Sequence, residues 1–553
     1  MLSDRLVALH ILIYVAMQRY LILAALLAVS SLSFAQKGEK AINPTQMVRD
    51  ILALEADSMQ GRLPCSLGEK RTVSYLTSRM QQLGLKPAFG SSFTQPVPLA
   101  TIQSKLPKHV SISTPKGEIP LYAGDDFTLW SPTTQPHVQI NGSPIVFVGF
   151  GVTAPENEWD DFAGIDVRGK TIIVLVNDPG FYNNDTSLFK GKAMTYYGRW
   201  RYKFEEAERR GAKACLIIHD EAGAGYPWSV VNTHTNGKEF YIDDASLANP
   251  SCVATGWITK NAAQKLLSAS GYRLNELMDA AAKRGFKAVD LASTFSVDIE
   301  NVLSKGVSHN VGGYIRGTKF PNEVVVYTGH WDHLGFGKPV AGDSICHGAS
   351  DNASAIAWMF AIAEAFRNAP APERSILFLS PTGEEAGLLG SSYYVQHPTF
   401  EMRNTVALFN TDVFVFLGRF KDITVTGPGH SELDRMLEIE AASQGRYLAA
   451  DPTPENGMFY RSDQQPFLKA GVPALFAKGY VEAVELGKEK TAIANADYWK
   501  SIYHKPTDRF KIGLHKIDGV YEDAVLFYRL GSKLANSRVF PKWSKSSEFY
   551  VER

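Results

Sequence analysis

Cysteine is scarce in this 553-residue chain. The four present, Cys65, Cys215, Cys252 and Cys346, are too few for a disulfide scaffold, and none forms a CxxC pair, which argues against a thiolate zinc site. Net charge is also lacking: 57 Lys and Arg balance 57 Asp and Glu, so no electrostatic footprint points to nucleic acid or to an anionic surface. No apolar run reaches the roughly 20 residues of a membrane span, and there is no internal repeat or low-complexity tract. Global disorder is excluded by 45% hydrophobic and 21% charged residues, ordinary values for a globular protein. At roughly 150 residues per domain, the length suggests about three to four domains.

Residues 1–35 read as a secretory signal. Arg19 precedes the apolar run Leu21 to Val29, and Ser33-Phe34-Ala35 puts small residues at the positions a signal peptidase reads. An earlier apolar run, Leu6 to Ala16, is cut off by Gln18-Arg19, and Met17 makes a better start for a signal than Met1. Cleavage after Ala35 predicts a secreted or periplasmic protein with no stable membrane partner; an uncleaved anchor is the alternative. In an oxidising compartment Cys215 and Cys252 could pair.

Three blocks follow. Residues 36–124 open with a helical pattern at Met47, Ile51, Leu52 and Leu54, then a loop at Ser58 to Arg62. A second helix carries Val73, Leu76, Met80 and Leu83, and a strand runs from Phe93 to Leu99. Residues 125–289 hold strand-like runs at Pro144 to Val148, Thr171 to Val176 and Ala214 to Ile218. A helix from Tyr202 to Arg210 ends at Gly211, which is βαβ punctuation. Residues 290–553 alternate short apolar strands (Val324 to Tyr327, Ser375 to Leu379, Val406 to Phe409) with helices, the strongest being Ala353 to Phe366. That alternation predicts an α/β fold with a doubly wound, mostly parallel sheet.

Ligands of such a sheet bind at the carboxyl ends of its strands, so the residues there matter most. Gly329-His330-Trp331-Asp332-His333 follows the first of these strands and Thr382-Gly383-Glu384-Glu385 the second. Asn410-Thr411-Asp412 follows the third, Ser350-Asp351-Asn352 precedes the strong helix, and Tyr503-His504 lies in a late loop. Singly, each has a bland reading: Asp351 as a helix N-cap, His504 as a surface histidine, Glu384-Glu385 as a solvated loop. Gathered at one rim, they would be tolerated only around dense positive charge. Three carboxylates (Asp351, Glu385, Asp412) and two imidazoles (His330, His504) suit zinc. Two zinc ions with a bridging hydroxide would neutralise them and leave Glu384 free as a base, the dinuclear arrangement of aminopeptidases.

The ordered set GHWDHLG, GASDNAS, PTGEEAGLLGS, NTD and YHKPTD, with SMQGR near the start and FYRSD and GVPAL late, resembles the zinc-dependent aminopeptidases of metallopeptidase family 28. The resemblance implies a peptidase fold in two parts, 36–124 and 290–553, with a β-rich protease-associated domain inserted at 125–289. It implies that His330 and Asp412 hold one zinc, Glu385 and His504 the other, and that Asp351 bridges them. It makes Asp332 the partner that orients His330, and Glu384 the general base and later acid toward a metal-bridging hydroxide. Tyr503 takes the place of the oxyanion-stabilising tyrosine, and the Asp351–Asn352 bond is often cis in relatives. Substrates would be peptides cut at their amino-terminal bond. Trp331, Ala355 and Gln464 depart from the commonest pattern, and none is a ligand. Alternatives are a mono-zinc glutaminyl cyclase, a carboxypeptidase with the same inserted domain, which would need arginines around its pocket, and a non-enzymatic receptor-like ectodomain. Of the aromatic residues Tyr196, Tyr197, Trp200 and Trp228, core packing is the expected place for most.

Overall fold

The computed structural model describes residues 37–183 and 185–552; the signal-like segment 1–35 and its cleavage point lie outside the described residues. The chain opens with the helix Pro44–Leu54, whose free amino end is capped by Asn43 and which buries Met47, Ile51 and Leu54. Ser66 caps the helix Leu67–Gln82 in the same way. Between them the expected loop is a tight turn, Asp57–Arg62, with Gln60 and Gly61 in the left-handed region. Gly61 is required there: a Cβ would lie 2.2 Å from the carbonyl oxygen of Gly335.

The strand Phe320–Thr328 lies between two parallel neighbours, Arg374–Ser380 and Thr405–Asn410. A fourth strand, Ala474–Lys478, extends this parallel set beyond Thr405–Asn410. Arg374–Ser380 and Thr405–Asn410 are buried throughout, as expected for strands covered on both faces. One cover is the almost wholly buried helix Ser354–Arg367, packed against Pro44–Leu54 and Asp518–Ala535. The antiparallel strand Asp422–Val425 adds to one side of the set. The α/β, mostly parallel sheet read from the sequence is the fold.

The middle block builds a second layer. His137–Phe147, Thr171–Leu175, Ala214–His219 and Ala254–Thr259 pair in parallel, with Phe127–Trp130 antiparallel at the end. The helix Trp200–Arg209 crosses between the second and third of these and stops at Gly211, whose φ is +70°. Cys215 and Cys252 are both buried there as free thiols.

One strand of 27 residues, Val289–Ile315, runs through both layers. Its first part pairs with His137–Phe147, its middle with Thr94–Lys105 and its end with Arg374–Ser380. The hairpin His109–Thr114 and Gly117–Tyr122 joins the first part, so these residues lie with the middle block rather than with the block that precedes it in sequence. The junction between layers is therefore the ribbon of Thr94–Lys105 against the long strand. A division at 289/290 falls where that strand begins, because its alternation of buried Leu291, Phe295, Val297 and Ile299 carries no turn signal.

Candidate metal centre

Parallel strands place their carboxyl ends on one edge. His330, Glu384-Glu385, Asp412 and Lys478 stand at or just beyond the ends of the four parallel strands. Asp351 sits in the turn Ala349–Ala353 that leads into Ser354–Arg367, and its bond to Asn352 is cis. His504 follows the turn Tyr498–Ile502. The fold brings all five expected ligands together. His330 Nε2 lies 3.2 Å from Asp412 Oδ1 and 3.5 Å from Asp351 Oδ1. His504 Nε2 lies 3.2 Å from Asp351 Oδ2 and 3.1 Å from Glu385 Oε2. Glu384 Oε2 is 3.8 Å from His330 Nε2, and the Tyr503 ring stacks on His504 at 3.7 Å.

Asp332 works differently from the simple expectation. Its carboxylate is 3.8 Å from His330 Nδ1, whose shorter contact is with the backbone oxygen of Asp332 at 3.2 Å. The carboxylate oxygens instead accept the backbone N–H groups of Glu384 and Glu385, at 3.1 and 3.4 Å. Asp332 thus holds the Glu384-Glu385 loop against the imidazole.

Several residues without an assigned role complete the site. His333 Nδ1 contacts Glu385 Oε1 at 2.6 Å, and its signal was present, since it closes the GHWDH motif. Arg62 is fully buried and donates to the carbonyls of Leu54, Trp331, His347, Gly348 and Asp351, tying the first helix to two site loops. Asp508 accepts from the backbone of Ser350 and Asp351, both at 3.1 Å. Lys478 donates to the carbonyls of Asp412 and Val413. Among the departures from pattern, Gln464 accepts from Asn410 at 2.7 Å, and Trp331 is buried, donating to His309. Ala355 packs on Gly329, where a Cβ would lie 2.8 Å away.

The electrostatics favour positive charge at the centre. Burial raises the Glu384 carboxyl well above its ordinary range, which nearby His330 only partly offsets. Burial disfavours the His330 imidazolium, yet Glu384 and Asp412 hold its pKa well above the usual value. Burial likewise opposes the His504 charge, and Glu385 and Asp351 override it, to about 10. His333 Nε2 and His504 Nε2 are buried with no well-directed hydrogen-bond partner. Two triads could hold a metal ion: His330, Asp351 and Asp412, and His333, Asp351 and Glu385, their donor atoms within 4.8 Å of one another. Orphaned imidazole nitrogens facing crowded carboxylates fit a metal pair.

The centre opens into a cavity of about 990 Å³ lined by Asp351, Glu384, Glu385, Asp412, Tyr503 and His504. Its other wall comes partly from the middle block, through Trp200 and Arg201. Tyr196 and Tyr197 are buried core, and Trp228 donates to the carbonyl of Gly124.

Residues 310–524 match the model of Peptidase family M28. A probable leucine aminopeptidase 2 of Aspergillus oryzae is 28% identical over 207 residues, covering 34% of this chain and 38% of that protein. Carboxypeptidase Q of Xenopus laevis is 25% identical over 272 residues, 48% of each chain. The chain thus spans less than half the length of these curated relatives. Among solved structures, the aminopeptidase from Aneurinibacillus sp. strain AM-1 superposes with a TM-score of 0.50 at 17% identity, covering 92% of this chain and 97% of that one, a likeness of fold.

Proposed function

We propose that this chain, whose residues 310–524 match the model of peptidase family M28, is a secreted zinc aminopeptidase that removes amino-terminal residues from peptides. The observation that carries the reading is Asp351, whose two carboxylate oxygens face the imidazoles of His330 and His504 at 3.5 and 3.2 Å. Zinc matches this set of imidazole and carboxylate donors. In this reading His330 and Asp412 would hold one ion, Glu385 and His504 a second, and Asp351 would serve both. Bound there, the ions would acidify water and polarise a peptide carbonyl.

The residues of the chain supply the rest. Glu384, 3.8 Å from His330 Nε2 at the rim of the cavity, accepts the proton of the attacking water as a carboxylate and returns it to the leaving amine. Tyr503, whose burial keeps its hydroxyl protonated, donates to the developing oxyanion. Carboxylates at the rim meet the free α-amino group of the substrate. Residues 125–289 are read as an inserted protease-associated domain that walls the cavity, and residues 1–35 as the signal that sends the protein out of the cytoplasm, to the periplasm or beyond.

The test is a panel of aminoacyl-anilides and dipeptides assayed with and without chelator. Hydrolysis that is lost with chelator and restored by zinc, with about two zinc ions per chain, is the expected result. Metal content near one, with cyclisation of glutaminyl peptides, would assign the cyclase reading instead.

A further inference from the structure

The cavity that holds the acidic centre is also lined by three arginines, Arg199, Arg201 and Arg461. The first two come from the middle block at the start of the helix Trp200–Arg209, and the third from the segment before Gln464–Lys469. Arg201 has an evident structural task. It donates to the carbonyls of Gly387 and Ala386, at 2.9 and 3.4 Å, in the loop that follows Glu384-Glu385. Gly387 permits this approach: its φ is +114°, and a Cβ there would lie 1.6 Å from the guanidinium.

Arg199 and Arg461 have no such task. Arg199 is only 7% exposed, and among the described residues its side chain has no hydrogen bond or ion pair to a carboxylate. Its charged neighbours are Arg461 and Arg201, with Tyr226 and Tyr196 nearby. Burial, and then the adjacent Arg461 charge, push its pKa down to about 9. Arg461 leaves Nε buried without a partner, and its guanidinium lies 5.8 Å from the Tyr226 ring. Other carboxylates of the cavity are engaged elsewhere: Glu239 contacts His234 Nδ1 at 2.6 Å, and Asp451 accepts from Thr453 N at 2.9 Å. A buried guanidinium beside a second one, with no anion, is unfavourable on its own. Planar guanidinium groups with free N–H donors are matched by a carboxylate.

We infer that Arg199 and Arg461 form a subsite for a substrate carboxylate, so that the cavity selects short peptides bearing one beyond the scissile bond. This rests on the peptidase reading and narrows its substrates. The carboxylate has two sources, the free carboxyl terminus of a di- or tripeptide or an acidic side chain. Either way the substrate lies between opposite charges, amino group at the carboxylate rim and carboxylate at the arginines.

The test uses the full, zinc-loaded chain. kcat/KM is compared for Leu-Ala-Ala and its amide, and for Leu-Glu-Ala amide against Leu-Gln-Ala amide. Binding of N-acetyl-Ala-Ala and its amide is measured by calorimetry, which needs no turnover. A preference of at least about tenfold for a carboxylate-bearing member is expected. Preference in the first pair identifies the chain terminus and in the second a side chain; both support the subsite. Arg461→Gln and Arg199→Gln should each erase the preference, and Arg461→Lys should keep part of it, which a purely structural arginine would not do. Equal values for acid and amide in both pairs, with equal probe binding, would overturn the inference while leaving the peptidase reading intact. A preference that survives both glutamine variants would overturn it too. If no peptide is cleaved, the peptidase reading fails and the calorimetry still decides: arginine-dependent binding of the free acid supports the subsite, and its absence removes it.

Discussion

Asp351 divides its carboxylate between two imidazoles, Oδ1 toward His330 at 3.5 Å and Oδ2 toward His504 at 3.2 Å. It is gripped from behind, since Asp508 accepts the Ser350 and Asp351 N–H groups and Arg62 donates to the Asp351 carbonyl. A single side chain therefore serves both halves of the centre. Asp351→Ala should lose both ions together rather than one. Elemental analysis should show the metal content falling from about two per chain to well below one, with activity down by about a thousandfold or more. Retention of one full equivalent would show that the halves are independent.

Glu384 is poised next to His330 but is not needed to hold a cation in either triad. Glu384→Gln keeps the size of the side chain and removes its proton chemistry. Metal content should stay unchanged while kcat falls by about 10²- to 10⁴-fold. An unaltered turnover number would remove Glu384 from the mechanism, and loss of metal would recast it as a ligand.

Much of this centre is legible in the sequence because strand-end motifs carry it. Four of the five expected ligands lie just after an apolar strand or in the turn before a helix, and parallel order brings those points to one edge, whereas His504 comes from a late loop. What the sequence conceals is whatever arrives from far along the chain. Arg201 reaches a loop 186 residues away, and Arg62 reaches Trp331 across 269 residues. Neither has a local pattern that separates it from a solvated arginine. Asp332 shows a subtler limit: its place in the motif is plain, but only the coordinates reveal that its oxygens hold two backbone N–H groups. The strand from Val289 to Ile315 carries no signal of its length, because two layers share it without a turn.

Lys478 shows how strain is held beside Asp412. Val413, next to Asp412, has a φ of +54°, a left-handed conformation that costs a β-branched residue on the order of 1–2 kcal/mol. The Lys478 ammonium donates to the carbonyls on both sides of that residue's amide nitrogen and α-carbon, those of Asp412 and Val413. Lys478→Met leaves the chain length but frees the turn. Affinity for one of the two ions should weaken by about 10- to 100-fold, the usual effect of removing a group that orients a ligand. Competition with a chromogenic chelator measures it, and unchanged affinity for both ions would show that the turn holds itself.

His430, outside the candidate metal centre, sets an acid limit on the fold. It is 3% exposed, stacks on Phe459 at 4.7 Å, and its Nδ1 meets Ser547 Oγ at 2.9 Å, which docks the carboxy-terminal segment. Burial pushes its pKa down to about 4, against about 6.5 in an unfolded chain. Between those values the unfolded chain binds a proton that the folded chain refuses, so stability rises with pH across the window and is lost as pH falls through it. The slope from this one group is at most about 1.4 kcal/mol per pH unit. Urea unfolding from pH 7.5 to 4.5 should show it, superposed on whatever the metal site contributes. Glutamine can keep the contact with Ser547 but cannot take up a proton, so His430→Gln should flatten the profile between about pH 6.5 and 4.5 relative to the parent. Parallel profiles in the two proteins would mean that His430 is already protonated in the folded state, with the Glu548 carboxylate, 3.7 Å away, as its counter-ion.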